Sequence, residues 1–289
     1  MLRANDRAAL AEAMAGFRAE GETVAFVPTM GALHAGHLSL VALAKSRADR
    51  VVASIFVNPT QFAPGEDYES YPRDTEADLA KLSEAGVDAV YLPSTDRIYA
   101  DDHSTSVIVG GVGDGLETDH RPTFFHGVAL IVCKLLNRVR PDIAVFGEKD
   151  YQQLCVIRRM VRDLDMGVDI VGAPIARDDH GLALSSRNRY FDAGALDTAR
   201  ALNRVMFGTA KAIGRGADIA KTLAQAEADI VEAGFSSVDY VSLADAETLA
   251  LIGDGPLARP ARLLVAAHAP APNGPVRLID NCAVVPATP

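Results

Sequence analysis

Two histidines, His34 and His37, are separated by Ala35–Gly36 and follow a Pro28–Thr29–Met30–Gly31 turn. Imidazoles at this spacing can face one phosphate together, donating N–H bonds and positive charge as pyrophosphate leaves. The run Val24–Val27 before the turn reads as a buried strand, and a helix is expected from about His37. Such a strand–turn–helix unit sets the N–H groups of a helix start beside a strand's carboxyl end, where open α/β sheets hold anions. Gly31 and Gly36 let the backbone approach a phosphate closely. Histidines on an exposed helix start with no chemical role are the plainer alternative. The strand, the glycines and the helix together favour the phosphate reading. A zinc site is disfavoured, because no third ligand lies nearby in sequence.

Three further stretches carry chemistry. Gly147–Glu148–Lys149–Asp150 follows the apolar run IAVFG, so Lys149 is a point charge at a strand end, suited to a phosphate. Ser185–Ser186–Arg187–Asn188 offers hydroxyls and a guanidinium in a loop, a group that suits a triphosphate. Asn58 with Gln61, and Gln152 with Gln153, are amides near strand ends that can hold a small polar acid without adding charge. Each has a bland counterpart, a solvated turn or a surface amide. No GxSxG turn, Walker-type GxxxxGK[ST] or strand-linked GxGxxG is present; GGVGDG at 110–115 lacks the strand–helix context.

The elements that must position these groups alternate. Unbroken apolar runs at 51–58, 87–92 and 143–147 have the character of parallel strands buried on both faces, and helical patterns separate them. The fold class expected is α/β, a Rossmann-like doubly wound parallel sheet, over residues 1–176. From about Ala176 the texture changes to two helices and three short strands, a smaller α+β domain over residues 177–289.

Composition limits what this fold can do. The chain has 289 residues and a formal net charge of −10, which argues against a nucleic-acid-binding surface. Cys133, Cys155 and Cys282 show no CxxC pairing, so neither a disulfide framework nor a zinc site is suggested. No stretch is long and apolar enough to span a membrane, and MLRANDRAAL lacks the apolar run of a signal peptide. A cytoplasmic location is expected.

Taken together, PTMGALHAGH, SIFVNPTQF, YPRD, FGEKDYQQL and GLALSSRNRY resemble the pantoate–β-alanine ligase family of the HxGH nucleotidyltransferase superfamily, related to class I aminoacyl-tRNA synthetases. The motifs occur in family order and span essentially the whole chain. The resemblance implies two steps. Pantoate's carboxylate attacks the α-phosphate of ATP to give pantoyl adenylate and pyrophosphate; β-alanine's amine then attacks the acyl carbon and releases AMP. It further implies ATP and Mg²⁺ as cofactors, and a homodimer.

By position, the resemblance assigns ATP to Met30, Gly31, Ala32, Leu33, His34, Ala35, Gly36 and His37, with His37 as proton donor or charge stabiliser. Gly147, Glu148, Lys149 and Asp150 match a second ATP segment, with Lys149 on a phosphate. Ala176 falls where backbone meets adenine, and Leu184, Ser185, Ser186 and Arg187 match the loop that stands in for the KMSKS loop of the synthetases. His34, His37 and Lys149 are the catalytic set. Gln61 and Gln153 match pantoate-holding amides, with Gln61 also near β-alanine. Asn58, Tyr71 and Arg121 fall on active-site motifs, and Asp78 where a magnesium-associated acid is expected.

The chain departs from the family pattern R-P-x-H-F-x-G-V at one place: Phe124 stands at the histidine position, and Leu130 replaces a usual threonine. These changes touch none of the phosphate motifs, so activity is expected. Two other readings stay open at this level, a nucleotidyltransferase that leaves the nucleotide on its product, and a nucleotide-binding protein without turnover.

Overall fold

The computed structural model describes residues 1–63, 65–255 and 257–286. The chain divides into two compact units: Met1–Glu148 with Gln152–Pro174, and Lys149–Tyr151 with Ile175–Pro289.

The first unit is built on six parallel strands. In chain order its elements are β1 (Leu2–Ala4), α1 (Arg7–Ala19), β2 (Val24–Thr29), α2 (Ala35–Lys45), β3 (Arg50–Ile55), α3 (Thr75–Glu84), β4 (Ala89–Tyr91), α4 (Thr95–Ile98), α5 (Glu117–His120), α6 (Phe124–Val139), β5 (Ile143–Gly147), α7 (Tyr151–Asp163) and β6 (Asp169–Ala173). The strand order is β1-β4-β3-β2-β5-β6. Val24–Val27 and Val52–Ala53 are fully buried, as expected for strands covered on both faces. The chain runs outward from β2 through β3 to β4, then returns to start β5 on the other side of β2. That reversal makes the β2/β5 gap the topological switch point, where doubly wound sheets bind ligands. β2 and β5 pair only through Ala25↔Ile143 and Phe26↔Ala144. Pro28 has no N–H to offer, and beyond Phe26 the two strands no longer pair with each other.

Three features of these elements have local causes. The edge strand β1 carries no sequence signal, since three residues show no periodicity. Helix α2 starts at Ala35 rather than near His37, because His34 caps it. Helix α6 starts at Phe124 and runs straight through Gly127. An alanine there would place its Cβ 2.1 Å from the Thr60 carbonyl oxygen, so only glycine lets helix and loop meet.

The second unit pairs two helices, α8 (Ala193–Gly214) and α9 (Ile219–Glu232), with an antiparallel sheet of β7 (Ser237–Asp245), β8 (Ala261–Ala269) and β9 (Val276–Val284) in that order. Leu202, Met206 and Ile213 of α8 pack with Ile230, Leu263, Val265 and Leu278 in one core. Before α8, a turn closes on Asp178, whose Oδ1 accepts the N–H groups of His180 and Leu182 at 2.9 Å each. Its Oδ2 meets Arg200 Nε at 3.2 Å. Burial pushes the Asp178 carboxyl up, but the two N–H donors and Arg200 outweigh it and hold its pKa below the usual value. A depressed folded pKa contributes stability above the unfolded pKa and loses it as pH falls through the folded one. Asp178→Asn should therefore cost about 1 kcal/mol at pH 7 in urea unfolding. The difference from wild type should shrink below about pH 4.

Candidate active site

The histidine turn leaves β2 and is shaped by a buried acid. Gly31 (φ 83°) and Ala32 (φ 52°) both lie in the left-handed region. The N–H of Ala32 donates to Asp78 Oδ2 at 2.7 Å, and that of Leu33 to Asp78 Oδ1 at 2.8 Å. Asp78 sits in the first turn of α3 and its side chain is only 3% exposed. Lys81, one turn further on, donates to the Leu33 carbonyl at 2.8 Å and lies 3.8 Å from Asp78 Oδ1. A Cβ at position 31 would fall 2.9 Å from Asp78 Oδ2, so glycine is required by space as well as by φ.

This geometry bears on one expectation. The resemblance puts Asp78 beside magnesium, but its two oxygens are engaged by backbone N–H groups and its charge is offset by Lys81. Among the described residues no cluster of three or more His, Cys, Asp or Glu could hold a metal. Asp78 is a strut, and it does not fit a Mg²⁺ site. The backbone N–H groups of Ala32 and Leu33 are spent on that strut.

What the turn presents is therefore its side chains. His34 caps α2, its Nδ1 accepting from the Gly36 N–H at 3.1 Å. His37 Nδ1 accepts from the His34 N–H at 3.3 Å, completing a reciprocal cap. The rings lie 4.2 Å apart between centroids. With Nδ1 accepting on both, the neutral rings carry their proton on Nε2. Both rings are thus held in place by the backbone of the turn they cap.

Beside β2, the loop after β3 is organised by Asn58, which is fully buried. Its Oδ1 accepts from Tyr99 OH at 2.8 Å and Thr60 Oγ1 at 3.1 Å. Its Nδ2 donates to Gln61 Oε1 at 3.0 Å and to the Gly127 carbonyl at 3.3 Å. Gln61 is thereby held by its carbonyl end, leaving its NH₂ as the end that addresses an acceptor. Asn58 orients Gln61. Tyr99 carries no sequence signal; burial raises its phenol pKa, so it stays a donor to Asn58.

Arg121 is also committed. It makes two 2.7 Å bonds to Glu66, and its Nη2 donates to the Gln61 carbonyl at 3.0 Å. Its guanidinium lies 3.8 Å from the centre of the Phe124 ring, so the unexpected phenylalanine is the platform for this arginine. Leu130 is buried among apolar residues of α6. Tyr71 is 5% exposed and packs edge-on against Phe62. The two glutamines of α7 separate in role. Gln152 is buried, accepting from Glu117 N–H and donating to the Val112 and Gly115 carbonyls, which ties down the GGVGDG loop. Gln153 is half-buried in the same first turn.

Gly147 ends β5 and Glu148–Asp150 form a 3-10 turn. Lys149 Nζ lies 3.8 Å from Asp150, and Lys149 groups with the second unit, which no feature of the sequence indicates. In that unit the Leu184 N–H donates to the Ala176 carbonyl at 2.9 Å, joining two expected nucleotide contacts directly. Ser185 Oγ caps the 3-10 turn Ser186–Tyr190 by accepting from the Arg187 N–H at 3.3 Å. The first unit thus gathers the histidine turn, Gln61, Gly147, Glu148 and Gln153, and the second holds Lys149, Asp150, Ala176 and Leu184–Arg187.

Two substitutions test this architecture. Asp78→Asn turns an NH₂ toward one of the two turn N–H groups and should cost about 1–3 kcal/mol in urea unfolding. Gly127→Ala should displace Thr60 and release Asn58, seen as loss of the slow-exchanging Asn58 side-chain NH₂ signal by NMR.

Comparison with known proteins identifies the family. Residues 3–283 match the family model described as pantoate–β-alanine ligase. The chain is 54% identical over 279 residues to the pantothenate synthetase of Sphingopyxis alaskensis, covering 96% of this chain and 98% of that one. The crystal structure of pantothenate synthetase from Thermus thermophilus aligns with TM-score 0.90 and 42% identity, over 99% of this chain and 100% of that one. A pantoate–β-alanine ligase from Francisella tularensis, complexed with β,γ-ATP and β-alanine, aligns with TM-score 0.79 and 31% identity over 98% of this chain and 97% of that one. With the family model, full-length relatives and the fold of solved structures in agreement, this chain belongs to the pantoate–β-alanine ligase family.

Proposed function

We propose that this chain condenses pantoate with β-alanine at the expense of ATP, through a pantoyl adenylate, releasing pyrophosphate and then AMP. The observation that carries the reading is the sheet edge at the β2/β5 switch point, where the reciprocally capped His34 and His37 lie one strand from Gln61. In the first step an oxygen of the pantoate carboxylate bonds to the α-phosphorus while the bond to the β,γ-pyrophosphate breaks. No protein nucleophile is needed; alignment and stabilisation of developing phosphate charge suffice. In the second step β-alanine's amine attacks the acyl carbon, AMP leaves with the C–O bond electrons, and the amine loses a proton.

In this reading His34 and His37 donate Nε2–H to the phosphates and Lys149 supplies a positive charge. The backbones of Met30–Leu33, Gly147–Asp150, Ala176 and Leu184–Arg187 line the nucleotide. The Gln61 NH₂, held by Asn58, meets pantoate together with Gln153. Mg²⁺ travels on ATP's own phosphate oxygens, as part of the substrate, since Asp78 does not fit it. Functionally, residues 1–176 carry the pantoate and most ATP contacts and 177–289 act as a lid domain, with Lys149 packed in the latter's unit. We further place the enzyme in the cytoplasm as a homodimer. Its three free cysteines suit a reducing compartment. Among the described residues no helix is long and apolar enough to cross a membrane. Sedimentation velocity tests the dimer.

The decisive assay is pantoate-dependent formation of AMP and pyrophosphate with free pantothenate as product. A product that retains the nucleotide, read by mass, would instead indicate a nucleotidyltransferase. His37→Ala and Lys149→Ala should each slow adenylation by about 10²–10³-fold. Gln61→Ala should chiefly raise KM for pantoate, and Asp78→Asn should leave the Mg²⁺ titration midpoint unchanged.

A further inference from the structure

Two consecutive buried residues of β9, Asp280 and Asn281, reach the two nucleotide segments that lie in the second unit. Both are nearly inaccessible, at 4% and 2% exposure. Asn281 Nδ2 donates to the Lys149 carbonyl at 2.8 Å, while its Oδ1 accepts from Arg262 Nε at 2.6 Å. Arg262, on β8 opposite, stacks on the Tyr151 ring at 4.1 Å from its centre, and Tyr151 OH donates to the Ala246 carbonyl at 2.8 Å. The short segment Lys149–Tyr151 is therefore held at its first residue by an amide and at its last by a stacked, hydrogen-bonded ring.

The neighbouring Asp280 serves the other segment. Its carboxylate takes both arms of Arg177, at 2.7 and 2.9 Å, and Arg177 also donates to the Gly181 carbonyl at 2.9 Å. Arg177 follows Ala176 directly and pairs across the turn with Ala183. Asp280 Oδ1 further accepts the N–H of Asn281 at 2.7 Å, joining the two halves. Buried charge and amide groups of this kind are costly unless every partner is in place, which makes the arrangement rigid.

We propose that Asp280–Asn281, with Arg262, is a positioning element that sets the Lys149 backbone and the Ala176 turn for ATP, so the C-terminal sheet takes part in adenylation without touching substrate. The proposal rests on the reading of Lys149 as a phosphate contact. None of the three is a catalytic residue; each acts through the segment it holds. Displacing a catalytic group by an ångström from such a distance can cost about 10²-fold in rate.

Asn281→Asp is the discriminating variant. It is isosteric and keeps an acceptor for Arg262, but cannot donate to the Lys149 carbonyl. In single-turnover formation of pantoyl adenylate by the full chain, Asn281→Asp should lower the rate by about 10- to 100-fold. It should change the KM values for ATP and pantoate little. In a Lys149→Ala background the same substitution should have almost no further effect. An equal loss in both backgrounds, or no loss in either, overturns the proposal. Should Lys149→Ala itself adenylate at the wild-type rate, the reading of Lys149 fails, and a second measurement decides the strut alone. Asn281→Asp should increase cleavage after Lys149 by a lysine-specific endoproteinase, and unchanged cleavage overturns the strut. Arg262→Lys, which keeps the charge but loses the Nε bond and the stacking, should show the same pattern more weakly.

Discussion

A carboxylate buried under the histidine turn sets the shape of everything above it. Ala32 and Leu33 are themselves buried, so their N–H groups cannot turn to water and must find an acceptor within the fold. Asp78 provides one oxygen to each, and bonds to an ionised acceptor are worth about 1.5–3 kcal/mol apiece. They hold Ala32 in a left-handed conformation that a residue with a Cβ rarely adopts unforced. Lys81 offsets the charge, so the acid does not repel phosphate from the site it braces. With the backbone so fixed, His34 and His37 complete a reciprocal cap through Nδ1.

The same logic recurs at a second level, in buried amides. Asn58 uses both ends of its amide to fix which end of Gln61 is available, and Gln152 does the same for the loop between Val112 and Glu117. Neither needs to meet a ligand to matter. The Phe124 platform fits this scheme. A ring face under Arg121 and the Glu66 carboxylate at its edge hold the guanidinium where it grips the Gln61 carbonyl. The family's histidine is absent, yet the loop that carries Gln61 is braced by other means.

In the second unit the bracing is provided by a sheet. Two charged or amide side chains on β9 and one on β8 would be a liability in an apolar core, and each is matched to a partner at Lys149, at Arg177 or on its neighbour strand. The antiparallel register Leu264↔Asn281 and Val265↔Asp280 anchors that pair within the β8–β9 ladder, with paired residues on either side. Most of these positioning groups, Asp78, Gln152, Arg262, Asp280 and Asn281, sit on strands and helices.

The sequence by itself determined the fold class, the strand-end placement of the histidine turn, Asn58–Gln61 and Gly147–Asp150, and the family. Unbroken apolar runs and short glycine-bearing turns are local signals, and local signals survive without coordinates. Tertiary structure alone decided which polar residues hold the others in place. Asp78, Asn58 and Arg121 carry the residue types of a substrate site, yet they reach partners 41 to 69 residues away along the chain, at Ala32, Leu33, Tyr99, Glu66 and Gly127. No periodicity predicts a hydrogen bond across such a separation. Lys149 shows the same limit: its residue type marked a phosphate contact, but that the C-terminal sheet holds its backbone depends on β9 arriving 132 residues later.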